Sequence, residues 1–262
     1  MARECVFCGA PAKSKEHIWP NWAARFMAAE GPVNHHLNVV QEGEADTDRS
    51  WTQKQFLMTV RGVCAKCNHS WMSALEGRLK PFFEGALQGQ GQLLDEEFQR
   101  DLAAWALKTA MMVECAQNPD KPAILPEECP YLFAHGEPSP SVRIWMTAYD
   151  GVVSTAVGHM WGLDFAAEHD PDPARQHGEI WGGTVVFGPV VFQLLGSNVP
   201  GLLELADMTI PDVHQLWPYE QPFTWEPKPG LADAELPDFM DFFLTGLLAL
   251  GGESPRRARK LP

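Results

Sequence analysis

The sequence has no apolar run near the roughly 20 residues that a membrane-spanning helix requires. Its most apolar stretch, Phe242 to Gly251, falls well short of that length. The opening residues, Met1-Ala2-Arg3-Glu4-Cys5, lack the apolar segment of a secretory signal. Both absences lead to the expectation of a cytoplasmic protein with no membrane partner. Basic residues are scarce as well: 20 Lys and Arg stand against 34 Asp and Glu, for a net charge of -14. Such a balance argues against a tight, indiscriminate binder of nucleic acid. No internal repeat is present, which excludes solenoid and propeller arrays. Cysteine is sparse, with six residues, yet four of them fall into two Cys-x-x-Cys pairs, Cys5/Cys8 and Cys64/Cys67. In a reducing compartment that spacing favours metal ligation over disulfides.

What is present suffices for a folded core, because 45% of the residues are hydrophobic. The charge is also unevenly placed. Residues 1–81 carry ten Lys and Arg against eight Asp and Glu, so the acidic excess lies in the remainder. Local field near a phosphate matters more than total charge.

Local patterns divide the chain into an N-terminal unit, residues 1–85, and a second unit, residues 86–262. A short helix is expected at 21–29, and a polar, irregular insertion at 30–55, rich in Gly, Asn, Asp and Thr. Phe56 to Val63 has strand character. Trp71, Leu75, Leu79 and Phe82/Phe83 have helical spacing, which predicts a helix starting near Asn68. A second helix is expected from Asp95 to Ala116, its acidic start opposing the helix dipole. A proline-rich connection follows. Residues 141–200 read as β-strands, and residues 236–250 as a short helix before a basic tail. The fold class is therefore α+β.

Two tight Cys-x-x-Cys turns from separate parts of the chain supply the four thiolates that tetrahedral zinc prefers. With no open position, such a zinc is structural. It would close the long loop between the pairs and bring Glu16-His17, which lie inside that loop, close to Asn68-His69, which follow Cys67.

The order Cys-x-x-Cys, Glu16-His17-Ile18-Trp19-Pro20, Cys-x-x-Cys-Asn68 and then a helix resembles the zinc-stabilised HNH endonucleases of the ββα-metal fold. The likeness covers residues 5–77. It implies an N-terminal ββα-metal module with a structural Zn²⁺ on Cys5, Cys8, Cys64 and Cys67, followed by a helical segment and a C-terminal β-rich region. It also implies a metal-dependent endonuclease acting on nucleic acid, with DNA as the expected substrate. By the same resemblance, His17 is the general base, and Glu16 and Asn68 ligate a catalytic Mg²⁺ or Mn²⁺. The chain departs from the pattern at the last histidine of the name: no histidine follows His69 on the helix. Glu76, two helical turns beyond Asn68, and His69 are the candidates for the third metal ligand. Trp19, Trp22 and Trp71 are candidates to stack on bases or to pack around a small core. The rival reading is a catalytically inactive, zinc-stabilised module that binds nucleic acid or protein. Beyond residue 85 no motif converts to chemistry, and a homo-oligomer or a protein partner through the C-terminal region is the expectation there.

Overall fold

A computed structural model describes residues 3–25, 33–39, 47–53, 58–117, 122–151, 156–166, 177–206, 210 and 212–249. The chain mixes helix and sheet, in agreement with the α+β expectation.

The N-terminal part is built from short pieces. Strand β1 (Glu16–His17) pairs antiparallel with β4 (Thr59–Val60), with Glu16 opposite Val60 and His17 opposite Thr59. Between them stand a 3₁₀ turn, Asn21–Arg25, and a hairpin of β2 (Val33–Val39) with β3 (Thr47–Gln53). The hairpin corrects the expectation of an irregular insertion. Val33, Leu37 and Val39 fall on alternate positions, a strand signal that the Gly- and Asp-rich stretch beside it obscures. Residues 26–29 of the expected 21–29 helix, and residues 56–57 of the expected strand, lie outside the described residues.

After β4 the chain enters one long helical run. It comprises α1 (Ala65–Cys67), a π-helical turn (Asn68–Met72) and α2 (Ser73–Leu87). The helix therefore begins three residues before the expected start. The expected unit boundary at 85/86 falls inside α2, and the buried apolar cluster runs on across it, joining Cys5, Ile18 and Leu79 to Trp105 and Phe192.

Strand β5 (Gln92–Leu94) leads into α3 (Glu96–Gln117). Leu102 to Glu114 are buried at every position, so α3 is enclosed on all sides rather than amphipathic. It packs on one side against α2 and β4, and on the other against a five-stranded antiparallel sheet. That sheet has the order β10-β6-β9-β8-β7, formed by β6 (Val142–Ala148), β7 (Ala156–Ala166), β8 (His177–Phe187), β9 (Val190–Ser197) and β10 (His214–Trp217). Strand β9 is central and buried along its whole length. Its Val190, Phe192 and Leu194 join the cluster around α3, while Val191 and Leu195 face the other way. That second face is covered by α5 (Leu236–Met240) and α6 (Phe242–Ala249) through Leu236, Phe239, Phe243 and Leu244. A further short strand, β11 (Phe223–Trp225), pairs with β5.

One helix was hidden in the proline-rich connection: α4 (Glu128–His135). Its Pro130 sits in the first turn, where the missing N–H breaks no helical hydrogen bond. Gly136 closes the helix with φ 72°, its N–H donating to the Leu132 carbonyl. No helix among the described residues is long and apolar enough to cross a membrane.

A four-cysteine cluster and the residues it gathers

Cys5 and Cys8 lie on a tight turn. The Cys5 N–H donates to the Ala10 carbonyl at 2.6 Å, and the Gly9 N–H to the Cys5 carbonyl at 2.9 Å. Gly9 has φ +72°, a conformation that costs glycine nothing. The second pair sits where β4 turns into α1. Cys64 caps that helix from an extended backbone, its Sγ accepting from the Cys67 N–H at 3.4 Å. Two backbone bonds fasten the pairs together: Val6 N–H to the Gly62 carbonyl at 3.0 Å and Ser14 N–H to the Val63 carbonyl at 3.2 Å.

The outcome is one cluster. The four Sγ atoms of Cys5, Cys8, Cys64 and Cys67 lie within 4.8 Å of one another, and Cys8 Sγ is 3.6 Å from Cys64 Sγ. Tetrahedral zinc with bonds of about 2.3 Å places its sulfurs about 3.8 Å apart. The donor set therefore fits a metal such as zinc, and four protein ligands leave no open position for substrate. The Cys67 N–H helps prepare the site, holding the Cys64 thiol down at about 7, where the thiolate that metal requires is readily formed. Burial pushes the Cys67 thiol in the opposite direction. Phe7, between the first two cysteines, and Trp71, four residues after Cys67, meet edge to face at 4.9 Å. Cys115 and Cys129 stand outside it. They face a cavity of about 400 Å³ behind the first cysteine turn, together with Val6, Met111 and Ile124. Burial raises both thiols, Cys115 to about 11.

The clamp also gathers the Glu16-His17 strand and Asn68. The Asn68 side-chain Nδ2 donates to Ser14 Oγ at 2.9 Å and to the Lys15 carbonyl at 3.2 Å. The amide thus fastens the start of the helix to the chain just before Glu16, which leaves its carbonyl oxygen as the atom able to ligate a cation. Adjacent residues of a strand point to opposite faces. Glu16 turns inward and is 7% exposed, whereas His17 is half-buried at the edge of the protein.

Inward, Glu16 lies within the electrostatic influence of two charged side chains, Lys108 and Glu76. Burial pushes its carboxyl up to about 7; the nearby Lys108 opposes that rise and the nearby Glu76 adds to it. Glu76 is in turn held by Lys108, whose Nζ donates to Oε1 at 2.7 Å. Of the two candidates for a third ligand, Glu76 therefore shares an electrostatic environment with Glu16, while His69 is exposed on the helix surface. Lys108 escaped sequence reasoning. The available signal was a lone lysine within Leu102–Val113, a stretch apolar all round the helix and therefore enclosed.

Trp19 and Trp22 pack on the core. Trp19 is 3% exposed and stacks on Phe187 at 6.0 Å, and Trp22 meets the same ring edge to face at 5.9 Å. Comparison with protein-family models, with curated proteins and with solved structures finds no match to this chain.

Proposed function

We propose that the chain is a metal-dependent endonuclease of the HNH type, its N-terminal residues forming a zinc-stabilised ββα-metal module. The observation that carries this reading is the Asn68 amide bonded to Ser14 Oγ and the Lys15 carbonyl. It draws together the Glu16-His17 strand and the helix that follows the second cysteine pair, the two segments on which the resemblance rests.

In this reading His17 accepts a proton from water, which imidazole does well near neutral pH. Its side chain is half-buried on β1, so part of it stays open to the solvent from which a phosphodiester would approach. The hydroxide oxygen bonds to phosphorus as the bond to the 3′ oxygen breaks, leaving 5′-phosphate and 3′-hydroxyl ends. Glu16, Asn68 and Glu76 would hold Mg²⁺ or Mn²⁺ through oxygen, the donor type these ions prefer. When bound, the ion supplies charge stabilisation to the phosphate and the leaving oxygen. DNA is the proposed substrate. The basic excess of residues 1–81 gives this end of the chain the appropriate sign of charge. The second unit, residues 86–262, would govern substrate choice or assembly, as an oligomer or with a protein partner.

One observation favours a second reading, an inactive zinc-stabilised binding module: Glu76 already has a cation, Lys108. Plasmid cleavage with and without Mg²⁺ or Mn²⁺, beside His17→Ala, separates the two. The nuclease reading expects cleavage that the folded variant loses. The binding module expects none from either protein on any nucleic acid.

A further inference from the structure

Lys108 is 0% exposed, deep in α3, with its Nζ 2.7 Å from Glu76 Oε1 and 5.8 Å from the centre of the Trp105 ring. A buried ammonium is costly, and replacing a buried ion pair by apolar side chains is often neutral or stabilising. Folding alone thus gives little reason for this lysine in an otherwise apolar stretch. What surrounds it gives one. The carboxylate it holds, Glu76, comes from α2, and the ammonium is near enough to Glu16 of β1 to act on its charge, so it lies by two segments that flank the cysteine cluster. Lys108 itself comes from a helix outside residues 5–77, and α3 packs directly on β4, the partner of β1.

We propose that Lys108 is a positioning residue of the candidate divalent-metal centre. Its ammonium holds Glu76 inward beside Glu16 and occupies the electrostatic place of the ion until the ion arrives. The inference rests on the nuclease reading of Glu16 and Glu76. The ammonium is paired with Glu76 alone, whereas a divalent cation could take oxygen ligands from Glu76 and Glu16 together. The ion and the ammonium repel each other at short range, so they compete for Glu76.

The test is Mn²⁺ binding to the zinc-loaded full chain without nucleic acid, read by the electron paramagnetic resonance of free Mn²⁺. Removing the ammonium in Lys108→Met should tighten binding at least about tenfold, since a divalent ion and a unit charge a few ångströms apart repel by more than that factor even at the dielectric of water. Lys108→Gln, which keeps a hydrogen-bond donor for Glu76, should tighten it too and serves if the Met variant fails to fold. Adding Glu76→Gln should abolish the gain. In the wild type, Mg²⁺ should shift the ¹⁵Nζ resonance of Lys108 at the concentrations that fill the site. Mn²⁺ binding that depends on Glu16 and Glu76 but is unchanged or weaker in folded Lys108 variants would overturn this inference and spare the nuclease reading. No binding in any of the proteins would overturn both.

Discussion

Lys108 and Glu76 lie 32 residues apart in sequence and meet at 2.7 Å, the lysine wholly enclosed and the glutamate 22% exposed. The pair ties α3 to α2, the helix that follows the second cysteine pair. Breaking a buried pair from one side leaves a charge without its partner, which costs more than the pair itself contributes. Glu76→Ala should therefore destabilise the protein by about 3–5 kcal/mol. The double variant Glu76→Ala/Lys108→Met should recover much of that loss. Urea unfolding of the four proteins of the cycle measures it; strictly additive losses would show that the pair is not coupled.

The cysteine cluster makes a prediction about metal content. The full chain should bind one zinc ion, and Cys64→Ser or Cys67→Ser should lose it. Because metal-binding free energy at such a site is folding free energy, each variant should lose several kcal/mol. Elemental analysis beside thermal unfolding checks both halves. A variant that kept a full equivalent of zinc at wild-type stability would contradict the four-thiolate assignment.

Gly62 lies where the first cysteine turn approaches α3. A Cβ at this position would stand 2.7 Å from Cys115 Sγ and 3.2 Å from Cys115 Cβ. The Gly62 carbonyl is also held by the Val6 N–H, so the backbone resists moving away. Gly62→Ala should cost about 1–3 kcal/mol, the usual range for overpacking. Combining it with Cys115→Ala, which removes the clashing sulfur, should restore part of that stability. If the second change simply adds its own loss, the clash is not the cause.

Glu128 in α4 supplies a pH dependence. It is fully buried; Ser139 Oγ donates to Oε1 at 2.9 Å, and Oε2 has no hydrogen-bond partner in the described structure. Burial raises its carboxyl above the ordinary glutamate value. The folded state therefore keeps this proton while the unfolded chain releases it. Its contribution is fully present below the unfolded value near 4.5 and is lost as pH rises from there through the raised folded value. Glu128→Gln cannot ionise, so its stability relative to wild type should improve across that interval and level off above it. Parallel unfolding curves at each pH test this; a constant offset between the two proteins would sink it.

Much of the local structure was legible in the sequence because local rules decided it. The paired spacing of Cys5/Cys8 and Cys64/Cys67 announced the cluster, and the acidic start and apolar run of residues 95–116 announced α3. The β-rich reading of residues 141–200 corresponds to β6 through β9. The hairpin of β2 and β3 was less visible, since the alternate apolar positions Val33, Leu37 and Val39 stand beside a Gly- and Asp-rich stretch that reads as loop. Helix α4 was masked by Pro130, which breaks helices everywhere except in the first turn, where it stands. Lys108 could be located on α3 from sequence, but not its partner. The Lys108–Glu76 contact depends on how α3 packs against α2, a tertiary fact that periodicity does not encode. The strand geometry that sends Glu16 inward and leaves His17 at the edge required the pairing of β1 with β4.

The most direct test of the functional reading is plasmid cleavage by the zinc-loaded full chain, with and without Mg²⁺ or Mn²⁺, beside His17→Ala of matched zinc content and thermal stability. The proposed mechanism predicts metal-dependent nicking or linearisation with 5′-phosphate ends, reduced at least about a hundredfold in the variant, as loss of a general base implies. Cleavage retained by His17→Ala would contradict the role given to His17. Absence of cleavage by the wild type on plasmid, single-stranded DNA and RNA with either metal would contradict the nuclease reading itself.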